Sequence, residues 1–305
     1  MKHTMLAMVC VTAALTGPAG AEVRGQEVIY ADGQVALEGY LAWDDDIEGR
    51  RPAVLVVHEW WGLNEYARMR ARQLAEMGYL ALAADIYGRG ERAETREQAA
   101  ALAGKFRKDS ALLRRRAQVA LDRLRDDARA IPTRVAAIGY CFGGTTVLEL
   151  ARSGADLAAV VSFHGGLATD DPAGPGEITA AILVCHGADD PHVSSKDLAD
   201  FIEEMRRSGA DWQLNMYGGA VHTFTNPDAG DNASTGSAYN ELAARRSWMA
   251  MKLLFTETIG LPQAAGEMTV GEFFKDYVAT PVGKAGKATG KAFKRAYEWS
   301  KEQVD

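Results

Sequence analysis

Short continuous apolar runs alternate with amphipathic stretches along most of this chain. Residues 28–30 and 35–43 flank Asp32-Gly33, a turn signal that predicts a hairpin of two strands. Residues 44–50 are a polar loop, and residues 53–57 (AVLVV) have the β-branched continuity of a strand buried on both faces of a parallel sheet. Asn64 is placed to cap a helix over 65–77, which Gly78 ends, and residues 80–84 form another buried run. Residues 95–130 are helical in period, with a break expected near Lys108-Asp109 and Arg114-Arg115-Arg116 expected on the solvated face. Strands are expected at 134–138, 158–163, 182–185 and 212–217, with helices at 145–152, 195–207 and 239–256. Strands alternating with helices of this length predict an α/β fold, a mostly parallel central sheet with helices on both faces.

The two ends depart from this pattern. Lys2, an uncharged apolar stretch over residues 5–15, Pro18 and the small residues Ala19-Gly20-Ala21 form the pattern of a secretory signal peptide, expected at residues 1–21. Its apolar stretch is too short to span a membrane, and the chain is expected to be secreted or periplasmic. Residues 22–262 then make one α/β domain. After Pro262, residues 263–305 read as a basic, partly helical extension in which Lys284, Lys287, Lys291, Lys294 and Arg295 recur at a spacing of three or four with no acid between them. A solvated tail is the plain interpretation, and weak contact with an anionic surface is the alternative.

Composition narrows the function classes. Apolar residues make up 47% and charged residues 25% of 305, which is the balance of a globular protein with ample chain for a core. A net charge of −7 argues against nucleic acid as the partner of the whole chain. Three cysteines cannot build a disulfide framework. His164, His186 and His192 lie on separate loops without metal-ligand spacing, so neither metal nor cofactor is expected, and they read as lining or solvent residues.

The chemistry concentrates where the strand at 134–138 runs into Gly139-Tyr140-Cys141-Phe142-Gly143-Gly144. This is a G-x-S-x-G strand–turn–helix pattern with Cys in place of Ser. The turn requires glycine around the nucleophile, and it presents the thiol at a helix N-terminus whose dipole favours an anion. Two later loops follow strand ends, the edge at which such sheets place their sites. One holds Asp189-Asp190 and the other His222. His222 is the expected base for Cys141 and Asp190 the favoured orienter, with Asp189 its rival because adjacent side chains diverge. Backbone N–H groups of Phe142 and Trp60 are the expected oxyanion donors. Trp60, Trp61 and Tyr87 are placed to wall the pocket or, equally, to serve as core aromatics. An alternative to catalysis is a binding protein on the same scaffold that makes its contacts through the basic tail.

Taken together, Gly-Tyr-Cys-Phe-Gly-Gly, Glu59 in His58-Glu59-Trp60-Trp61-Gly62-Leu63-Asn64, Asp85-Ile86-Tyr87, the Gly-x-x-Asp-x-x-Val run ending at Val193 and His222-x-Phe resemble the dienelactone hydrolase family. The resemblance covers roughly residues 28–255. It implies an α/β-hydrolase fold, a Cys141–His222–Asp190 triad acting on small esters or lactones, and contact between Glu59 and the resting thiol. It also implies two arginines that clamp a substrate carboxylate. Arg89 matches the first, but Asn226 stands at the position of the second, so the reaction class transfers better than the substrate.

Overall fold

The computed structural model describes residues 23–262; the expected signal peptide and basic extension lie outside them. Eight strands form one sheet: β1 (Val23–Asp32), β2 (Val35–Asp44), β3 (Arg51–Val57), β4 (Leu80–Ala84), β5 (Ala130–Tyr140), β6 (Ala159–Phe163), β7 (Ala181–Gly187) and β8 (Trp212–Tyr217). Their spatial order is β1-β2-β4-β3-β5-β6-β7-β8. The opening hairpin and the β2–β4 pair are antiparallel, and every later pair is parallel. Among the described residues six α-helices complete the domain: α1 (Glu65–Glu76), α2 (Arg96–Arg107), α3 (Ser110–Arg125), α4 (Phe142–Arg152), α5 (Ser195–Ser208) and α6 (Glu241–Thr258).

The AVLVV run shows why the parallel strands read as continuous apolar sequence. Ala53, Leu55 and Val57 face the side covered by α2, α3, α4 and α5, while Val54 and Val56 face the side covered by α1 and α6. All five are fully buried, and burying a Val or Leu side chain stabilises by roughly 1.5–3 kcal/mol. The caps agree with the sequence pattern. Asn64 accepts from the Ala67 amide at α1, and Asp109 accepts from the Leu112 amide at α3, where the long helical stretch breaks. Among the described residues no helix is long and apolar enough to cross a membrane.

Two expectations are corrected. Of the three arginines of α3 only Arg115 is solvent-exposed; Arg114 is half-buried and Arg116 buried. Arg114 pairs with Glu149 at 2.7 Å, while Arg115 and the buried Arg116 close on Asp32 of the hairpin at 2.9 and 2.8 Å. These pairs hold β1 and α4 against α3, and tertiary partners of this kind leave no trace in helical period. In addition, α4 begins at Phe142 rather than at residue 145. Gly143 and Gly144 look like turn residues, but their role is close approach within the first helical turn. A Cβ on Gly143 would sit 2.2 Å from the Val57 carbonyl oxygen, and one on Gly144 would sit 2.6 Å from Ser162 Oγ.

Candidate active site

Cys141 occupies the turn between β5 and α4 with φ 54° and ψ −113°, a conformation rare for a residue with a side chain. The strain is held by close packing. A Cβ at Gly139 would lie 2.0 Å from the Gly143 carbonyl oxygen, so the chain can turn this tightly only with glycine there. Adjacent elements supply the partners. Cys141 Sγ lies 3.0 Å from His222 Nε2, and His222 Nδ1 lies 2.8 Å from Asp190 Oδ2. The other Asp190 oxygen accepts the His192 amide at 2.9 Å. Asp189 instead turns outward and accepts the Gly219 amide at 3.0 Å. The geometry therefore separates the two candidate orienters that the sequence left adjacent.

The electrostatics follow the same line of atoms. Burial opposes a charged imidazole at His222, but the Cys141 sulfur and the Asp190 carboxylate on its two sides outweigh burial and raise it to about 10. Burial also works against charge on Asp190, yet its hydrogen bonds to His222 and the His192 amide hold it below the usual carboxylate range. Glu59 is almost fully buried, and burial lifts it from 4.5 to about 7 despite a hydrogen bond from Asn226 and the nearby His222 charge.

The thiol lines a cavity of about 1150 Å³ together with Glu59, Trp60, Trp61, His222 and Asn226. Glu59 does not close on the resting thiol through a hydrogen bond. Its Oε2 accepts Asn226 Nδ2 at 2.9 Å, and the sulfur is partnered by His222. The Phe142 and Trp60 amides have no acceptor among the described residues, which is compatible with the expected oxyanion donors.

Two of the expected binding residues lie elsewhere. Arg89 is absent from the walls of this cavity. It pairs with Glu38 at 2.7 Å beside a separate cavity of about 330 Å³, because Asp85 accepts the Tyr87 and Gly88 amides and turns the loop after β4 that way. Tyr87 is 4% exposed and packs among His58, Phe106 and Phe142, with its hydroxyl donating to the Trp60 carbonyl at 3.0 Å. It supports the wall from behind. Both positions of the expected carboxylate clamp are thus otherwise engaged. The cations that do line the cavity are Arg92, Arg96, Arg107 and Lys108, whose side chains make no hydrogen bond or salt bridge among the described residues.

Of the three loop histidines, only His192 lines the cavity. His186 and His164 are buried. His164 accepts the Cys141 amide on Nδ1 at 3.1 Å, a partnership that nothing in its own sequence neighbourhood signals. His58, also buried, donates from Nδ1 to the Glu59 carbonyl and accepts the Ile86 amide on Nε2.

Comparison with known proteins places this geometry. Residues 37–259 match the model of the dienelactone hydrolase family. The chain belongs to that family. A solved structure described as a dienelactone hydrolase-like promiscuous phosphotriesterase, P91, from metagenomic libraries is 44% identical, with a TM-score of 0.73 over 78% of this chain and 99% of that one. A second structure, m3DLH, has the same identity and TM-score over 77% and 98% of the two chains. A Bradyrhizobium protein named "Probable 2-oxo-3-(5-oxofuran-2-ylidene)propanoate lactonase" is 30% identical over 66% of this chain and 82% of its own. As in other dienelactone hydrolase-family proteins, the sheet described above is that of an α/β hydrolase.

Proposed function

We propose that this protein is an exported hydrolase of small carboxylic esters or lactones, with Cys141 as nucleophile, His222 as proton carrier and Asp190 as orienter. The observation that carries the proposal is the continuous line from Cys141 Sγ through His222 to Asp190, at 3.0 and 2.8 Å, on a strained turn that opens into the large cavity. Family membership supports the reaction class.

In the proposed cycle Cys141 sulfur forms a bond to the acyl carbon while its proton resides on His222 Nε2. The carbonyl electrons move onto oxygen, which receives hydrogen bonds from the Phe142 and Trp60 amides. Collapse to a thioester expels the alcohol, which takes the proton from His222. Water then attacks the thioester, gives its proton to His222 and releases the acid and the thiol. Asp190 keeps the imidazole in the tautomer that serves both halves and stabilises its charged form.

Residues 1–21 serve as the export signal in this reading, with cleavage after Ala21 testable by the N-terminal sequence of the mature protein. Cys141→Ala is expected to lower kcat/KM for a nitrophenyl ester by ~10³ or more. Retention of the full rate would refute the assignment. An activated phosphotriester belongs in the same assay, given the 44% identity to P91.

A further inference from the structure

We infer that His164 is a positioning residue that braces the nucleophile against the loop carrying the proton carrier. The observation is a bridge of hydrogen bonds across the two elements. On one side the Cys141 amide, shared with the Phe163 carbonyl at 3.0 Å, donates to His164 Nδ1 at 3.1 Å. On the other, His164 Nε2 lies 2.7 Å from Thr225 Oγ1, three residues beyond His222. A ring whose Nδ1 accepts must be neutral and carry its proton on Nε2, so Nε2–H donates to Thr225. One imidazole thus ties the amide of the nucleophile to the loop that positions its base.

The surroundings enforce this state. His164 is fully buried, and its ring meets that of His222 edge-on at 5.4 Å and that of Phe224 at 5.2 Å. Thr225 is itself held, with its Oγ1 2.7 Å from the Tyr66 hydroxyl and its carbonyl accepting Arg70 Nη2 at 2.8 Å. Burial first, and then the positive charges of His222 and Arg70, keep His164 neutral. The backbone tells the same story. Among the described residues the non-glycine positions with positive φ are Cys141, His164 and Thr223: the nucleophile, the brace and the residue after the base. Strain gathered at these three places is maintained only where packing over-determines it. Behind His164, a Cβ on Gly165 would lie 2.7 Å from the Gly144 carbonyl carbon, so the loop packs directly on the backbone of α4.

The inference rests on Cys141 being the nucleophile, and its test keeps the two apart. His164→Ala is expected to lower kcat for a nitrophenyl ester ~10–100-fold with KM within about threefold, the scale set by loss of ångström-level positioning. Alkylation of Cys141 by iodoacetamide, followed on its own peptide by mass spectrometry, should slow in parallel. His164→Asn should recover part of both losses, because Oδ1 can accept the Cys141 amide and Asn tolerates positive φ, while its shorter side chain leaves Thr225 unbridged. Thr225→Val should show a milder form of the alanine phenotype. Two outcomes would each overturn the brace. One is a folded His164→Ala protein with kcat and alkylation within twofold of wild type, and the other is His164→Asn being no better than alanine. If His164→Ala does not fold, the Asn and Val variants decide. If the wild type hydrolyses no ester, the hydrolase reading fails while the alkylation series still tests the brace.

Discussion

Glu59 gives the sharpest quantitative test of the electrostatics. The residue is 2% exposed, and its carboxyl accepts a hydrogen bond from Asn226 on Oε2 and has no partner on Oε1 among the described residues. Burial raises it from 4.5 to about 7. Because the folded-state value lies above the unfolded one, the folded protein binds the extra proton between these two values. Stability therefore falls as pH rises from about 4.5 through about 7, and the loss is complete above that window. At ~1.4 kcal/mol per pH unit, the rise amounts to about 3 kcal/mol lost at pH 8.5. Glu59→Gln keeps an oxygen for Asn226 Nδ2 and removes the charge. The variant should be about 3 kcal/mol more stable than wild type at pH 8.5 and less than about 1 kcal/mol more stable at pH 5. Urea denaturation at both pH values measures the difference. An equal effect at the two pH values, or a variant destabilised at pH 8.5, would refute the claim that a buried charge at this position is costly.

Other substitutions test separate links of the argument. Asp190→Asn should lower kcat by ~10²–10⁴ through the wrong imidazole tautomer, while Asp189→Asn, whose carboxylate only caps the Gly219 amide, should stay within about threefold in the same ester assay. Gly143→Ala should prevent folding to a soluble protein, since its Cβ would meet Val57 and His58 backbone at 2.2–2.7 Å. Gly104→Ala within α2 meets nothing within 4 Å and should gain ~0.5–1 kcal/mol in urea melts. Arg152→Met should cost ~3–5 kcal/mol by the same measurement. Arg152 is buried between Glu149 and Glu204, at 2.9 and 2.8 Å, and holds the Leu167 carbonyl of the cavity wall at 2.9 Å, so KM should rise as well.

The sequence alone determined what local chemistry dictates. Runs buried on two faces announced the parallel strands, Asn64 marked the start of α1, the helical stretch showed its break at Lys108-Asp109, and the glycines around Cys141 marked the strained turn. These signals are legible because each depends on residues a few positions apart. What depends on distant segments meeting had to wait for the tertiary structure. Asp189 and Asp190 are chemically alike, and only the direction in which β7 delivers its loop separates them. Arg89 and Tyr87 looked like pocket residues, but the turn held by Asp85 sends one to Glu38 and the other into the core. The arginines of α3 found acids on β1 and α4 that helical period cannot foresee. His164 carried no motif at all, because its meaning lies in the amide 23 residues earlier and the hydroxyl 61 residues later that the fold brings to its two nitrogens.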